Sequence, residues 1–466
     1  MEQLSGLDAA FVHQDSRRTP MHITALLIYD VGKNGRHALA LDELRALIQQ
    51  RLAEIPLFRR KLLKVPMGMD TPYWVETQSM QWNRHIGEGT LGAGADWHDL
   101  HQRLSTLHAA RMNLARPLWE MHLLHELRGL DGLPPSCQGL IVKVHHAAID
   151  GISLAAIINA LHQVPEISTP GVTVQQAAPS PWELWTRANL NSVSRQFKFA
   201  ETMSNILPGM LRARRSRQEF SDLPVIRRSA AHFNAAVREG RSTGSLLMPR
   251  SKFLAIKRAV RRVTLNDIAM AVVAGALRQY LSESGELPGK SLAAGVPINL
   301  RRTDEENPGG NRIATMIAGL ATQEEDPVAR VRLIHQYAVA GKRQIDALGT
   351  GTIMDISDSL SPALLAEGIK GMARASRLVD MPVPCHTMIA NVPGPSTPLH
   401  LGKAELVVPL GLGPVRDNMG LFHIVSSSPS MLSIAFSACR RLLPDPDFYR
   451  DCLRASFEDL YAQALD

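Results

Sequence analysis

Residues 139–151 read Gly-Leu-Ile-Val-Lys-Val-His-His-Ala-Ala-Ile-Asp-Gly. Apolar side chains alternate along residues 140–145, which predicts a strand over Gly139–His146. Gly151 permits a tight turn, so this strand ends in two histidines beside a turn. Because neighbouring strand residues point to opposite faces, we expect His145 and His146 to have different surroundings and only one to meet a substrate.

The side chains at this strand end suit proton transfer. A neutral imidazole titrates near pH 6.5 and can accept a proton at neutral pH. We therefore predict that His146 is a general base, that His145 supports it, that Asp150 fixes the turn or pairs with a cation, and that Gly151 forms the turn. Two ordinary histidines beside a turn are the alternative. A metal site is disfavoured, because two histidines on opposite strand faces chelate one ion poorly.

Helix and strand patterns alternate on both sides of this stretch. The predicted helices are Leu41–Ile55, Trp97–Leu114 (whose apolar stripe only Arg111 interrupts), Ser153–His162, Leu265–Leu281 with Thr264 as N-cap, Ala329–Ile345 and Asp447–Ala464. The predicted strands are Met21–Tyr29, Trp119–Leu127, Leu292–Asn299 and Leu432–Ser437. This alternation favours two α/β layered domains, over residues 1–165 and 241–466, with a linker of crossover helices over 166–240.

Composition sets outer limits on the function. The chain has 466 residues, of which 45% are hydrophobic and 20% charged, so it is globular and long enough for two domains. A net charge of +7 favours anionic partners, although it also serves solubility. The four cysteines lack the short spacing of a zinc or redox site and suit a reducing cytoplasm. We expect neither a signal peptide nor a membrane span.

One familiar motif is incomplete. Gly285–Ser291 resembles a phosphate-binding loop, but it has three residues between the glycines where that motif needs four.

Short elements in a shared order resemble one enzyme family. They are Leu4–Phe11, Pro20-Met21-His22, Pro117-Leu118-Trp119-Glu120, His145–Gly151, Asn266-Asp267, Pro297–Arg301, Asn307–Asn311 and Asn391-Val392-Pro393-Gly394-Pro395. Together they resemble the bacterial wax ester synthase/acyl-CoA:diacylglycerol acyltransferase family, within the chloramphenicol-acetyltransferase-like superfamily. One departure is Ala390, where the family pattern leads us to expect serine. The Pro-Leu-Trp and Asn-Asp elements also have a structural explanation, as core packing and a helix cap.

The resemblance implies an α/β fold of two similar chloramphenicol-acetyltransferase-like layered domains that meet at a substrate tunnel. It implies direct acyl transfer with His146 as base and acyl-CoA as a substrate, without a cofactor. Asn266, with its neighbour Asp267, or the backbone near Asn391 is then a candidate oxyanion or structural group, and Arg301 a candidate partner of Asp150. The cationic stretch before Asn266 is a candidate CoA site, with a solvated charged face as the alternative: Lys252, Lys257, Arg258, Arg261 and Arg262.

The expected reaction is wax ester formation from a long-chain fatty alcohol or triacylglycerol formation from diacylglycerol. The alternatives are a condensation-type acyltransferase that uses carrier-bound chains, or a non-catalytic lipid-droplet-binding protein. A basic segment beside apolar residues, Leu211–Arg217, suggests a cytoplasmic protein held peripherally on an anionic membrane or lipid droplet. A nucleic-acid partner is disfavoured, because no binding motif accompanies the basic residues.

Overall fold

The computed structural model describes residues 2–32, 35–51, 55–77, 79–149, 154–162, 179–191, 231–299, 313–348, 367, 368, 371 and 385–466. These residues form two six-stranded sheets, a three-stranded sheet and the helices that cover them. The fold is therefore mixed α/β.

The elements are numbered along the chain. The helices are α1 (Gly6–Gln14), α2 (Leu41–Arg51), α3 (Trp82–His85), α4 (Trp97–Ala109), α5 (Leu154–His162), α6 (181–191), α7 (Arg250–Ala259), α8 (Leu265–Glu283), α9 (Pro327–Leu348) and α10 (Pro446–Leu465). The strands are β1 (Glu2–Gln3), β2 (His22–Asp30), β3 (Arg60–Leu63), β4 (Tyr73–Glu76), β5 (Ile86–Thr90), β6 (Trp119–Leu127), β7 (Cys137–His145), β8 (Arg241–Pro249), β9 (Ala293–Asn299), β10 (Ile313–Gly319), β11 (Thr387–Val392), β12 (His400–Leu401), β13 (Ala404–Leu412), β14 (Leu421–Ser427) and β15 (Met431–Cys439).

The first large sheet has the order β12-β13-β2-β7-β6-β5. Its centre is β7, all nine residues of which are buried, because helices cover both faces of the sheet. β13 pairs antiparallel with β2, so a strand from the second half of the chain completes the sheet that holds the histidine pair. Gly139 lets β7 pass close to its neighbours, since a Cβ there would lie 2.9 Å from Leu26 Cδ1.

The second large sheet has the order β10-β9-β11-β14-β15-β8. Helices α8 and α10 pack on it and share one large apolar core that includes Val273, Phe436 and Leu453. α8 begins where Thr264 and Asp267 form a capping box, which satisfies backbone N–H groups of the first helical turn.

Helix α4 joins the two sheets. It lies on the first sheet and packs against β8 of the second. The contact with β8 is polar and buried: His101 Nε2 lies 3.0 Å from Ser245 Oγ, and Ser105 Oγ lies 3.0 Å from Thr243 Oγ1. Polar groups buried at this contact need hydrogen-bond partners, so these two pairs of side chains hold α4 in one position between the sheets.

Several boundaries differ from those predicted. The helix predicted to reach Leu114 ends at Ala109, because Ala110 is extended and its carbonyl oxygen accepts a hydrogen bond from the buried Lys143 at 2.5 Å. Ile55, predicted to be helical, is extended because Pro56 follows it. The strand ends at His145 rather than at His146. Trp119–Leu127 and the N-cap Thr264 are confirmed.

Candidate active site

The histidine pair lies where β7 turns into a 3-10 helical turn, His146–Ala148. The neighbouring strands still hold the backbone at this point. The His145 N–H donates to the carbonyl oxygen of Leu118 at 3.0 Å, and the His146 N–H donates to that of Met21 at 2.8 Å. The Pro-Leu-Trp and Pro-Met-His elements of the sequence therefore meet at this turn through their main chains.

His145 is fully buried and faces Asp15. Its Nδ1 accepts the Ala147 N–H at 3.2 Å, and its Nε2 lies 3.8 Å from Asp15 Oδ1. Burial, and next the charge of Arg111, lower the pKa of His145 to about 3. The ring is therefore neutral, and since Nδ1 accepts a hydrogen bond, the proton is on Nε2.

His146 has different surroundings. Its ring is half-buried and stacks on Phe11, with centroids 3.9 Å apart and planes inclined by 20°. Burial, and next His145, lower the pKa of His146 to about 4, so the ring is neutral at physiological pH. Its Nδ1 is buried and has no hydrogen-bond partner among the described residues. A neutral imidazole with an unpaired ring nitrogen can accept a proton from a bound molecule.

Phe11, Asp15 and Arg111 complete this turn, and the sequence reasoning assigned none of them a role here. Phe11 and Asp15 are contributed by α1 and its C-cap. The Asp15 carboxylate accepts from Arg111 Nε at 2.5 Å and from the Met21 N–H at 3.0 Å. One signal was present in the sequence: Arg111 is the residue that interrupts the apolar stripe predicted for Trp97–Leu114.

Three predicted residues lie outside the described residues: Asp150, Gly151 and Arg301. The loop Asn307–Asn311 and the basic segment Leu211–Arg217 are outside them as well.

Asn266 and Asp267 lie at the start of α8. Asp267 accepts the Thr264 N–H at 2.8 Å, and its Oδ2 lies 2.8 Å from His335 Nδ1. It is thus occupied in capping the helix and in pairing with α9. The side-chain oxygen of Asn266 is buried without a hydrogen-bond partner in the described part of the chain.

Asn391 lies near the end of β11 and is exposed, while Ala390 is half-buried. The loop that follows passes close to β14, because the Gly394 N–H donates to Ser427 Oγ at 3.2 Å. A Cβ at Gly394 would lie 1.5 Å from the Ser427 carbonyl oxygen, so only glycine fits there without backbone movement.

A small cavity of about 60 Å³ lies beside this loop, where the two large sheets meet. Its lining is mostly apolar and comes from β2, α5, β13, β14 and the loop: Ala25, Ile158, Asn159, Val392, Pro393, Gly394, Pro395, Leu406, Pro409, Leu410, Gly411 and Ser426.

The candidate CoA-binding cations lie on or just after α7. All five are exposed, and α7 packs through Phe253 and Ile256 against the core it shares with α8 and α10. Lys252 lies 5.0 Å above the ring of Tyr461. Among the described residues, none of the five forms an ion pair with a carboxylate. The main contacts of α7 are with α8, α10, β8 and β15, and not with the turn at His146.

Two features that the described residues lack bear on function. No group of three or more histidine, cysteine or acidic side chains there is arranged to hold a metal ion. No helix there is both long enough and apolar enough to cross a membrane. The four cysteines are buried and unbridged.

Two family models match the chain. The model of the wax ester synthase/diacylglycerol acyltransferase catalytic domain matches residues 4–269, and the model of the C-terminal domain of the same family matches residues 309–461. A Mycobacterium tuberculosis protein that carries the name diacylglycerol O-acyltransferase is 29% identical over 465 residues, which is 98% of this chain and 99% of the relative. A second protein of that organism with the same activity in its name is 26% identical over 465 residues, 99% of each chain.

Solved structures share the fold. The wax ester synthase/diacylglycerol acyltransferase of Marinobacter aquaeolei VT8 superposes with a TM-score of 0.68 at 21% identity, over 100% of both chains. The first condensation domain of the calcium-dependent antibiotic synthetase superposes with a TM-score of 0.57 at 14% identity, over 100% of this chain and 96% of that one. The chain therefore shares the fold of these proteins, and the two family models that match it divide it into two domains.

Proposed function

The chain belongs to the wax ester synthase/diacylglycerol acyltransferase family, and on that premise we propose that it moves a fatty acyl group from acyl-CoA to a long-chain alcohol or diacylglycerol, with His146 as general base. Membership makes the protein an acyltransferase that forms esters. The donor, the acceptors and the base are the proposal.

The observation that carries the proposal is the state of His146. Its imidazole is neutral, and its Nδ1 is buried without a partner among the described residues, although buried polar groups are normally hydrogen-bonded. A substrate hydroxyl would supply the missing partner. His423 has both ring nitrogens engaged by named neighbours. In His145 only Nδ1 is engaged, and its Nε2 is also buried without a hydrogen-bond partner among the described residues. His146 is the proposed base because its ring is only half-buried, whereas that of His145 is fully buried.

The proposed reaction proceeds in two steps. The alcohol oxygen attacks the thioester carbonyl carbon while His146 takes the hydroxyl proton. The tetrahedral intermediate then expels the CoA thiolate, which takes that proton back from the imidazolium. A positioned base of this kind contributes roughly 10²–10⁴-fold in rate. No covalent acyl-enzyme and no cofactor is needed.

The remaining assignments extend this proposal. Asn266, whose side chain is free of the capping box beside it, is the proposed oxyanion donor, with the backbone near Asn391 as the alternative. The unpaired cations of α7 are proposed to attract the CoA phosphates. Asp150 and Arg301 are proposed to form a structural pair. Peripheral attachment to a membrane or droplet through Leu211–Arg217 is also a proposal.

A carrier-dependent acyltransferase is the second candidate, and the shared fold with condensation domains is the observation that favours it. One experiment separates the two. Purified protein is given labelled palmitoyl-CoA with hexadecanol, with diacylglycerol, or with no acceptor. We expect labelled ester in at least one of the first two reactions and none in the third. Absence of ester from free acyl-CoA, followed by product with an acyl-carrier protein, would favour the second candidate.

The base is tested in the same assay with His146→Ala, and His400→Ala serves as the matched control because His400 is exposed on the edge strand β12. Loss of ester formation in the first variant alone supports His146. Equal ester formation in both variants would show that His146 is not the base.

A further inference from the structure

The C-terminal end of α1 is connected to the turn that carries His146 through the side chain of Asp15. Asp15 is the C-cap of α1, and its side chain is only 1% exposed. A buried carboxylate needs compensation, and Arg111 provides it: Nε donates to Oδ2 at 2.5 Å, and Nη2 donates to the Asp15 carbonyl oxygen at 3.2 Å. The remaining carboxylate oxygen, Oδ1, faces the histidine pair.

Two routes lead from Asp15 Oδ1 to the turn. In the first, Oδ1 accepts the Met21 N–H at 3.0 Å, and the Met21 carbonyl oxygen accepts the His146 N–H at 2.8 Å. In the second, Oδ1 lies 3.8 Å from His145 Nε2, while His145 Nδ1 accepts the Ala147 N–H at 3.2 Å. The His146 N–H is therefore linked to the Asp15 carboxylate by hydrogen bonds through Met21. The Ala147 N–H is bonded to His145, whose Nε2 lies close to the same carboxylate without a hydrogen bond to it.

We propose that Asp15, held by Arg111, positions the backbone of His146, so that the pair is a positioning device for the acyl transfer. This inference rests on the proposed role of His146. Neither Asp15 nor Arg111 reaches the His146 ring, so they act through the main chain. The same α1 also contributes Phe11, which stacks on the ring, so one helix fixes both the ring and the backbone of the proposed base.

The magnitude follows from geometry. Displacement of a reacting group by about 1 Å can cost roughly 10²-fold in rate. Removing one of two backbone anchors should displace His146 by less than that, so we expect a loss of about tenfold. The loss should appear in kcat, because the anchor sets the orientation of the base and touches no substrate. A role confined to stability would instead lower the melting temperature and leave the turnover of folded protein unchanged.

The test compares Asp15→Asn, Arg111→Lys, the double variant and His146→Ala, with Glu325→Gln as the matched control. Asp15→Asn keeps the shape and removes the charge. Arg111→Lys keeps a charge but cannot make both contacts, and because the Arg111 side chain is 40% exposed, this variant should fold even if Asp15→Asn does not. Glu325 pairs with Arg278 on α8, away from the turn, and its loss should leave kcat unchanged.

In Asp15→Asn, we expect kcat to fall about tenfold while KM for both substrates is unchanged. In Arg111→Lys, kcat should fall less. The double variant should have the same kcat as Asp15→Asn, since the two residues act as one unit. Unchanged kcat in both single variants, with His146→Ala inactive, would overturn the positioning role alone. An active His146→Ala would instead overturn the proposed base.

Discussion

Two histidines with lowered pKa values, His423 within the second large sheet and His146 just beyond a strand of the first, differ in how their ring nitrogens are used. His423 lies within β14, where its Nδ1 is 3.2 Å from Thr387 Oγ1 and its Nε2 is 2.8 Å from the Tyr449 hydroxyl. His146 lies just past the end of β7, and its Nδ1 has no partner among the described residues. Burial lowers the pKa of both, to about 3 for His423 and about 4 for His146.

Burial and a lowered pKa therefore do not by themselves mark a catalytic histidine. Both features follow from placing an imidazole in an apolar core. His146 differs from His423 in its unsatisfied Nδ1 and in a ring that is only half-buried, at the point where the backbone leaves the sheet. The second sheet shows what the same residue type does when the protein supplies both of its partners: it stabilises the core.

The largest expected effect is on His146. His146→Ala should lower kcat by at least about 10²-fold, since proton transfer passes through this ring. The melting temperature should fall only modestly, because the ring makes no side-chain hydrogen bond in the described structure and loses only its stack on Phe11, worth about 0.5–1.5 kcal/mol. Turnover and thermal melting of the purified variant measure the two quantities. Near-normal turnover, with an inactive His145→Ala, would move the base to His145.

His423→Ala should show the opposite pattern. It removes a fully buried ring and leaves the hydroxyls of Thr387 and Tyr449 without that partner, which should cost about 2–4 kcal/mol in the free energy of unfolding. Turnover per folded molecule should stay within about twofold. Denaturant unfolding and kcat at low temperature test this. A variant that is stable but inactive would show that the contrast between the two histidines is wrong.

The elements of the structure also differ in whether the sequence alone could predict them. β6 begins with an alternation of apolar and polar residues, and α8 follows an N-cap threonine, so local sequence patterns predict the positions of both closely. The pairing of β13 with β2 could not be predicted, because strand partners more than 300 residues apart leave no local signal. The histidine motif was found because its residues are adjacent in sequence.

The anchors of that motif were missed for the same physical reason. Asp15 and Arg111 are 96 residues apart and meet only after α4 has ended early. An arginine in an apolar stripe signalled a buried partner, but the sequence could not say which acid. Asn266 and Asp267 were correctly placed at the start of a helix, where Asp267 is used as a cap.

Phe11 offers a finer test of the comparison. Phe11→Leu keeps an apolar side chain beside His146 and removes the stack, which is worth about 0.5–1.5 kcal/mol, so kcat should fall about two- to tenfold. Phe11→Tyr, which keeps the ring, should retain most of the activity. Phe448→Leu is the matched control, because Phe448 contacts Tyr280 away from the turn. Equal kcat in the leucine variants would mean that the stack does not orient the base.

The smallest change is expected on mild acidification. Burial, and next the neighbouring His145, lower the pKa of His146 to about 4, so its ring should stay neutral between pH 8 and pH 5.5, and kcat should vary by less than about twofold. An ordinary histidine, with a pKa near 6.5, would be about 90% protonated at pH 5.5, and the rate would fall about tenfold.

The free energy of unfolding should depend on pH differently from the rate. The folded chain keeps His145 and His423 neutral, with pKa values of about 3, whereas the unfolded chain binds protons on them below about pH 6.5. The free energy of unfolding should therefore fall as the pH falls through that range, so kcat is measured below the melting temperature found at each pH. A kcat that titrates near pH 6.5 in folded protein would show that the His146 ring is solvated like an ordinary surface histidine, and that its pKa is not lowered as that of His423 is.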